Sequence, residues 1–203
     1  MVICEDFYTF VLKIEIYVNN MRLVRRPWIW FARFRQRRGY GVHSPFAYSF
    51  LRGVVYERTP YYAYGRLSQL HPWWVRWLAG YPITCRRLLF RLANFTHPRT
   101  IAVVGHRPIE EAYLSAAVPS AQRTEQQGDF IFVANESLNA FQLPPMPTAG
   151  MLVAEGIHHD HASLEAWKKM KDDPQTAITF DLYDYGIALF NHDLQKQHYK
   201  VNF

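Results

Sequence analysis

The sequence predicts an α/β protein with a mostly parallel sheet, an antiparallel C-terminal hairpin and an N-terminal helical cap. Three observations carry that prediction. Ile101–Val104, Phe130–Val133, Met151–Ala154 and Ala177–Phe180 are short apolar runs bounded by turn residues, as in strands buried on both faces. Helical periodicity follows the first run, from Pro108 to Leu114, and separates the third from the fourth, from His161 to Lys171 with Leu164, Trp167 and Met170 on one side. Buried strands alternating with helices imply a parallel, doubly wound sheet.

Length, charge and cysteine content set the bounds. The 203 residues suffice for one sizeable α/β domain with an appended helical region, and 49% hydrophobic content excludes a disordered chain. Residues 1–20 read as an extension outside the natural chain if Met21 is the true start. Residues 21–95 read as a basic, aromatic helical region and 96–203 as the α/β domain. Cys4 and Cys85 match no CxxC or zinc spacing, which points to a reduced compartment. No apolar run approaches the roughly 20 residues of a membrane span, and Lys13 and Glu15 interrupt the first one where a signal peptide carries no charge. A soluble cytoplasmic protein is expected.

The net charge is +6, and Arg22, Arg25, Arg26, Arg33, Arg35, Arg37 and Arg38 supply +7 with no acid among them, so the rest of the chain carries −1. Trp28, Ile29, Trp30, Phe31 and Phe34 interleave with these arginines. That mixture suits an amphipathic helix on an anionic membrane surface, or stacking on nucleic acid. It also reads as a packed helix begun at Pro27 and stopped by Gly39, with its aromatics facing the core and its last-turn arginines on the negative end of the dipole. The packed helix is the expectation, because apolar residues on all sides of a helix signal burial.

Ser44 then caps a helix with Pro45 at its first position, and Phe46, Phe50, Leu51 and Val54 follow along one face. Leu67 to Leu78 suggests a second helix, broken or begun near Pro72. Ile83 to Phe95 gives a third, with Leu88, Leu89, Leu92 and Phe95 inward and Arg86, Arg87 and Arg91 outward. At the C-terminal side, Asp181 to Phe190 alternates through a glycine turn at Gly186 and is expected to fold back antiparallel, and His198 to Phe203 is a candidate last strand.

In this order, Gly41-Val42-His43-Ser44-Pro45-Phe46, Ile101 to Leu114, Asp129 to Ser137, Gly150 to His158 and Phe180 to Phe190 resemble the class I S-adenosylmethionine-dependent methyltransferases, in particular small O-methyltransferase-like proteins. The resemblance runs from about Gly39 to the C-terminus. It implies a Rossmann-like methyltransferase fold, here truncated. It also implies a cofactor site at Gly105, Arg107 and Asn135, with Glu155 or His158 as catalytic acid or base.

The departures from the family pattern bear on activity. The family carries an acid and a run of glycines after its first strand, where backbone N–H groups face the cofactor's carboxylate. Here Val103 stands in place of the acid, only Gly105 remains, and His106-Arg107-Pro108 fills the turn. Pro108 lacks an N–H, and Glu110 and Glu111 in the first helical turn would repel a carboxylate. Arg107 reads as a loop arginine facing solvent, or as a cation replacing the lost donors. Only the eleven residues from Val118 to Gly128 precede the next strand. The family's second and third strands, with the acid that holds the ribose, do not fit there. The Ile101 strand is then expected at the sheet edge, covered by the N-terminal region or by a partner, which includes a second copy of the chain.

No metal site is expected. Ala134-Asn135-Glu136 and Glu155-Gly156-Ile157-His158 stand where metal-dependent relatives place hard oxygen ligands, and within His158-His159-Asp160-His161 the aspartate reads as a helix cap. The resulting expectation is a degenerate methyltransferase-like protein without cofactor, working as a scaffold or interaction protein. The alternatives are an active, divergent O-methyltransferase using S-adenosylmethionine, or a membrane or nucleic-acid adaptor acting through the seven arginines.

Overall fold

A computed structural model describes residues 28, 31, 33–36, 41–71, 80–191 and 193–203. The 1–20 stretch, both ends of the helix expected from Pro27 to Gly39, five of the seven basic arginines (Arg22, Arg25, Arg26, Arg37, Arg38) and the region around Pro72 lie outside the described residues.

The first described helix, α1 (Pro45–Phe50), begins as the sequence requires: Ser44 Oγ accepts the Ala47 N–H at 3.3 Å and Pro45 occupies the first turn. It continues into a widened π turn, Leu51–Val55, closed by the Tyr56 N–H on the Leu51 carbonyl at 2.8 Å. Arg91 satisfies two carbonyls left open where this turn ends, with Nε on Val54 O at 2.7 Å and Nη2 on Val55 O at 2.9 Å. Arg91 lies on α3 (Gly80–Thr96), which follows the short α2 (Tyr64–Ser68). Two expectations for α3 are thereby corrected. Arg91 is 6% exposed because it caps a neighbouring helix, and Phe95 is 47% exposed, touching only the edge of the Phe50 ring.

The remaining elements are β1 (Thr100–Val104), α4 (Pro108–Ala117), β2 (Gln122–Thr124), β3 (Phe130–Val133), α5 (Asn135–Leu138), β4 (Gly150–Glu155), α6 (His161–Asp172), β5 (Ile178–Asp181), β6 (Tyr185–Phe190) and β7 (Gln197–Lys200). They form one sheet in the order β2-β1-β3-β4-β6-β5-β7. β2, β1, β3 and β4 run parallel, β6 is antiparallel to both β4 and β5, and β7 is parallel to β5. This is an α/β, Rossmann-like arrangement with an antiparallel C-terminal hairpin and an N-terminal helical cap.

The period-2 pattern of the strands sorts cleanly between the two faces. Ile101, Phe130, Phe132, Met151, Val153, Ile178, Phe180, Ile187 and Leu189 point to the face covered by α1, α3 and α4. Ala102, Ile131, Val133, Leu152, Ala154, Ala188 and Phe190 point to the face covered by α5 and α6. Asp160 caps α6 by accepting the Ser163 N–H at 2.7 Å.

Three expectations about the sheet are overturned. β1 is not an edge: Thr100, Ile101 and Ala102 pair with Gln122, Arg123 and Thr124, so eleven residues hold a second strand after all. The segment between β2 and β3 is only residues 125–129, and no third strand fits there. The sheet still has seven strands because β7 adds one at the opposite edge. The hairpin turn is not at Gly186, which lies within β6. It is at Leu182–Asp184, where Tyr183 has φ +77. Gly186 is needed for a different reason: a Cβ there would sit 2.7 Å from the Trp167 ring of α6.

Candidate functional site

Because β1, β3, β4 and β5 share one direction, their C-terminal ends meet along one rim, where α/β proteins of this kind hold ligands. Among the described residues, two clusters of charged side chains occupy that rim.

The first is built on the loops after β1 and β3 and on the tip of β4. Gly105 leaves β1 with φ +105, a conformation that costs little only for glycine, and an added Cβ would stand 2.7 Å from Ala134 Cβ. The chain then turns, so that Arg107 reaches back across the strand ends. All five of its N–H donors are used. Nε donates to Glu155 Oε2 at 3.0 Å, Nη1 to Glu136 Oε1 at 2.7 Å and to His106 O at 3.1 Å, and Nη2 to Asn135 Oδ1 at 2.8 Å and to Glu136 Oε2 at 2.6 Å. Burial works against the Arg107 charge, but Glu155 and Glu136 more than compensate, and its pKa lies above the ordinary value. Burial pushes the Glu155 carboxyl up, and Arg107 offsets only part of that. Arg107 is therefore not a loop arginine facing solvent. It is a plug that ties together the loops after β1 and β3 and the tip of β4.

The second cluster lies at the tip of β5. Asp181 takes a fork from Arg33, with Nη1 on Oδ1 at 2.8 Å and Nη2 on Oδ2 at 3.1 Å, and Arg33 Nη1 also reaches the Asp181 carbonyl at 3.0 Å. His158 Nε2 stands 2.8 Å from Asp181 Oδ2, and the Tyr183 N–H donates to Oδ1 at 2.8 Å. The His158 and Tyr183 rings stack at 4.9 Å, and the Arg33 guanidinium lies 5.2 Å from the centre of the Tyr183 ring. Burial would raise the Asp181 pKa, yet the hydrogen bonds from His158 and Arg33 hold it far below the usual carboxylate range. An ionised Asp181 only accepts, which assigns the shared proton to His158 Nε2. The 3.3 Å approach of Arg33 Nη2 to that nitrogen is then a meeting of two donors on one carboxylate.

Of the residues singled out in the sequence, Gly105, Arg107, Asn135 and Glu155 come together, and His158 does not join them. It follows Glu155 by three positions, but the turn after β4 carries it to Asp181. Glu110 is also not where the sequence suggested. It is 3% exposed and takes the Arg86 Nε–H at 2.7 Å, and Arg86 in turn meets His71, which reaches Tyr113 at 3.0 Å. Its charge is thus paired with Arg86, and it still adds to the upward push on the Glu155 carboxyl. The N-terminal aromatics are corrected too: Trp28 and Phe31 are 79% and 72% exposed, and Phe34, in a single 3₁₀ turn (Phe34–Gln36), is half exposed.

Sequence reasoning missed Asp181 and the part that Glu136 plays. Asp181 carries a recoverable signal, as an acid at the end of a buried strand, and Glu136 follows β3 by three positions in the first turn of α5. Glu125 directly follows β2 and is exposed. It could not be placed without knowing that Gln122–Thr124 is a strand.

No family model matches the chain, and no curated protein matches it. Among solved structures, an O-methyltransferase from Bacillus cereus in complex with SAH is similar over 70% of this chain and 96% of its own, with 11% identity and a TM-score of 0.38. The strand order and registers define the fold, independently of that match.

Proposed function

We propose that this chain is a methyltransferase-like protein that no longer binds S-adenosylmethionine and acts as a non-catalytic interaction protein. The observation that carries the reading is the saturated fork of Arg107 across the ends of β1, β3 and β4. The residues present do not fit the cofactor. A methionine carboxylate placed there would displace a guanidinium that has no unused donor, and would then face Glu136 and Glu155. The first turn of α4 offers no compensating N–H at Pro108.

One observation favours a second reading, a divergent active O-methyltransferase. Glu125 stands after β2, where the family holds ribose hydroxyls, and the left-handed turn at Gly105 is intact. In that reading Arg107 swings out, Gly105 and Asn135 line the cofactor, and Glu155 or His158 serves as base.

Titration calorimetry with S-adenosylmethionine and S-adenosylhomocysteine separates the two. A ligand at 100 times its Kd adds about 2.7 kcal/mol, a shift of about 5 to 10 °C in Tm for a chain of this size. No heat and no shift at millimolar ligand is expected. Saturable binding at micromolar concentration would overturn the proposal.

A further inference from the structure

Arg33 is held as a ligand is held. Two parallel N–H groups meet the two oxygens of Asp181, a third contact goes to the Asp181 carbonyl, and the Tyr183 ring flanks the guanidinium. Both charged side chains are 12% exposed. This geometry suits a planar fork with an apolar face, and an ammonium would satisfy only one of those oxygens at a time.

The pocket is also built without Arg33. Asp181 is oriented by the Tyr183 N–H and by His158 Nε2, and His158 is oriented in turn by stacking on Tyr183. These three residues come from β5, the following turn and the loop after β4. Their occupant comes from a segment 148 positions away in sequence. Beside it, Gln36 O accepts the Asn202 N–H at 3.1 Å, and Phe31 and Phe34 stay exposed.

We propose that Asp181, Tyr183 and His158 form a binding pocket for the arginine side chain of a partner peptide, which the chain's own Arg33 fills in the partner's absence. The ligand class is an arginine side chain presented by a peptide, because that is what the pocket already accepts. The proposal rests on the interaction reading above and names its partner class. It uses the β5 corner, and the cofactor reading uses the β1, β3 and β4 corner, so each fails separately.

The test uses the full chain carrying Arg33→Ala and a peptide of residues 28–36, titrated by calorimetry at fixed ionic strength. The variant is expected to bind the peptide. Lysine at the Arg33 position of the peptide lowers affinity about tenfold or more, since the fork is lost. Arg33→Ala with Asp181→Asn is expected to abolish binding. The unsubstituted chain binds at least about tenfold more weakly than Arg33→Ala, because Arg33 competes at a millimolar effective concentration. Should Arg33→Ala not fold, Arg33→Lys keeps the charge without the fork and is expected to bind between the two. Equal affinity for the arginine and lysine peptides, insensitivity to Asp181→Asn, or no binding at millimolar peptide would each overturn the proposal. The same preparations titrated with S-adenosylmethionine report on the cofactor reading alone.

Discussion

Arg107→Ala removes the plug and leaves two carboxylates without their shared cation. Its cost can be built from the surroundings of each partner. Glu136 is about half exposed, so its pair with Arg107 contributes roughly 0.5 kcal/mol after solvent screening. Glu155 is one-fifth exposed and loses its cation, a loss of roughly 2 kcal/mol, below the ~3 to 5 of a fully buried pair. The sum is about 2 to 3 kcal/mol at pH 7, or about 5 to 10 °C in Tm. The pH dependence has a definite sign. The folded Glu155 carboxyl already lies above its ordinary value, and losing Arg107 raises it further. A raised pKa favours folding below the unfolded value of about 4.3 and loses that contribution as pH rises through the folded one. The destabilisation by Arg107→Ala is therefore largest at neutral pH and shrinks toward pH 4. Urea unfolding at pH 7 and pH 4.5 measures both quantities. Glu155→Gln in the same chain is expected to recover at least about 1 kcal/mol. An Arg107→Ala chain as stable as the parent, or a loss independent of pH and of Glu155→Gln, would refute the electrostatic account of the plug.

Gly186→Ala places a methyl group into the Trp167 ring and is expected to cost about 1 to 3 kcal/mol; an unchanged Tm would show that the ring can yield. Asp160→Ala removes the α6 cap and is expected to lower Tm in thermal unfolding. Arg91→Ala leaves the Val54 and Val55 carbonyls buried without a partner and is expected to cost about 3 kcal/mol in urea, with hydrogen exchange rising first at Tyr56. The Asp181 carboxyl is depressed, so its contribution is present above an unfolded pKa of about 3.9 and is lost as pH falls below it. Asp181→Asn is therefore expected to flatten the acid limb of the stability curve between about pH 4 and pH 2.

The buried strands were readable because their own composition encodes burial on two faces, and the caps at Ser44 and Asp160 because they are local. β2 was not readable. Gln122, Arg123 and Thr124 are polar and exposed, and they become a strand only because β1 offers an unpaired ladder. Arg91 looked like a surface residue, since nothing in α3 announces the widened turn that it caps. The rim was half legible. Gly105, Asn135 and Glu155 each stand at a strand end, a position that sequence can find. That one arginine would reach partners 28, 29 and 48 positions away could not be read from spacing.

The contact of Gln36 with Asn202 has a bearing on biosynthesis. Arg33, Gln36 and Tyr56 all bond to residues from Asp181 onward. During translation, at about 5 to 20 residues per second, Arg33, Gln36 and Tyr56 emerge many seconds before the groups that will hold them exist. Nascent chains would thus present these groups to chaperones and to neighbouring polysomes until residues 181–202 have emerged, an interval that a segment paired with its sequence neighbours would not incur.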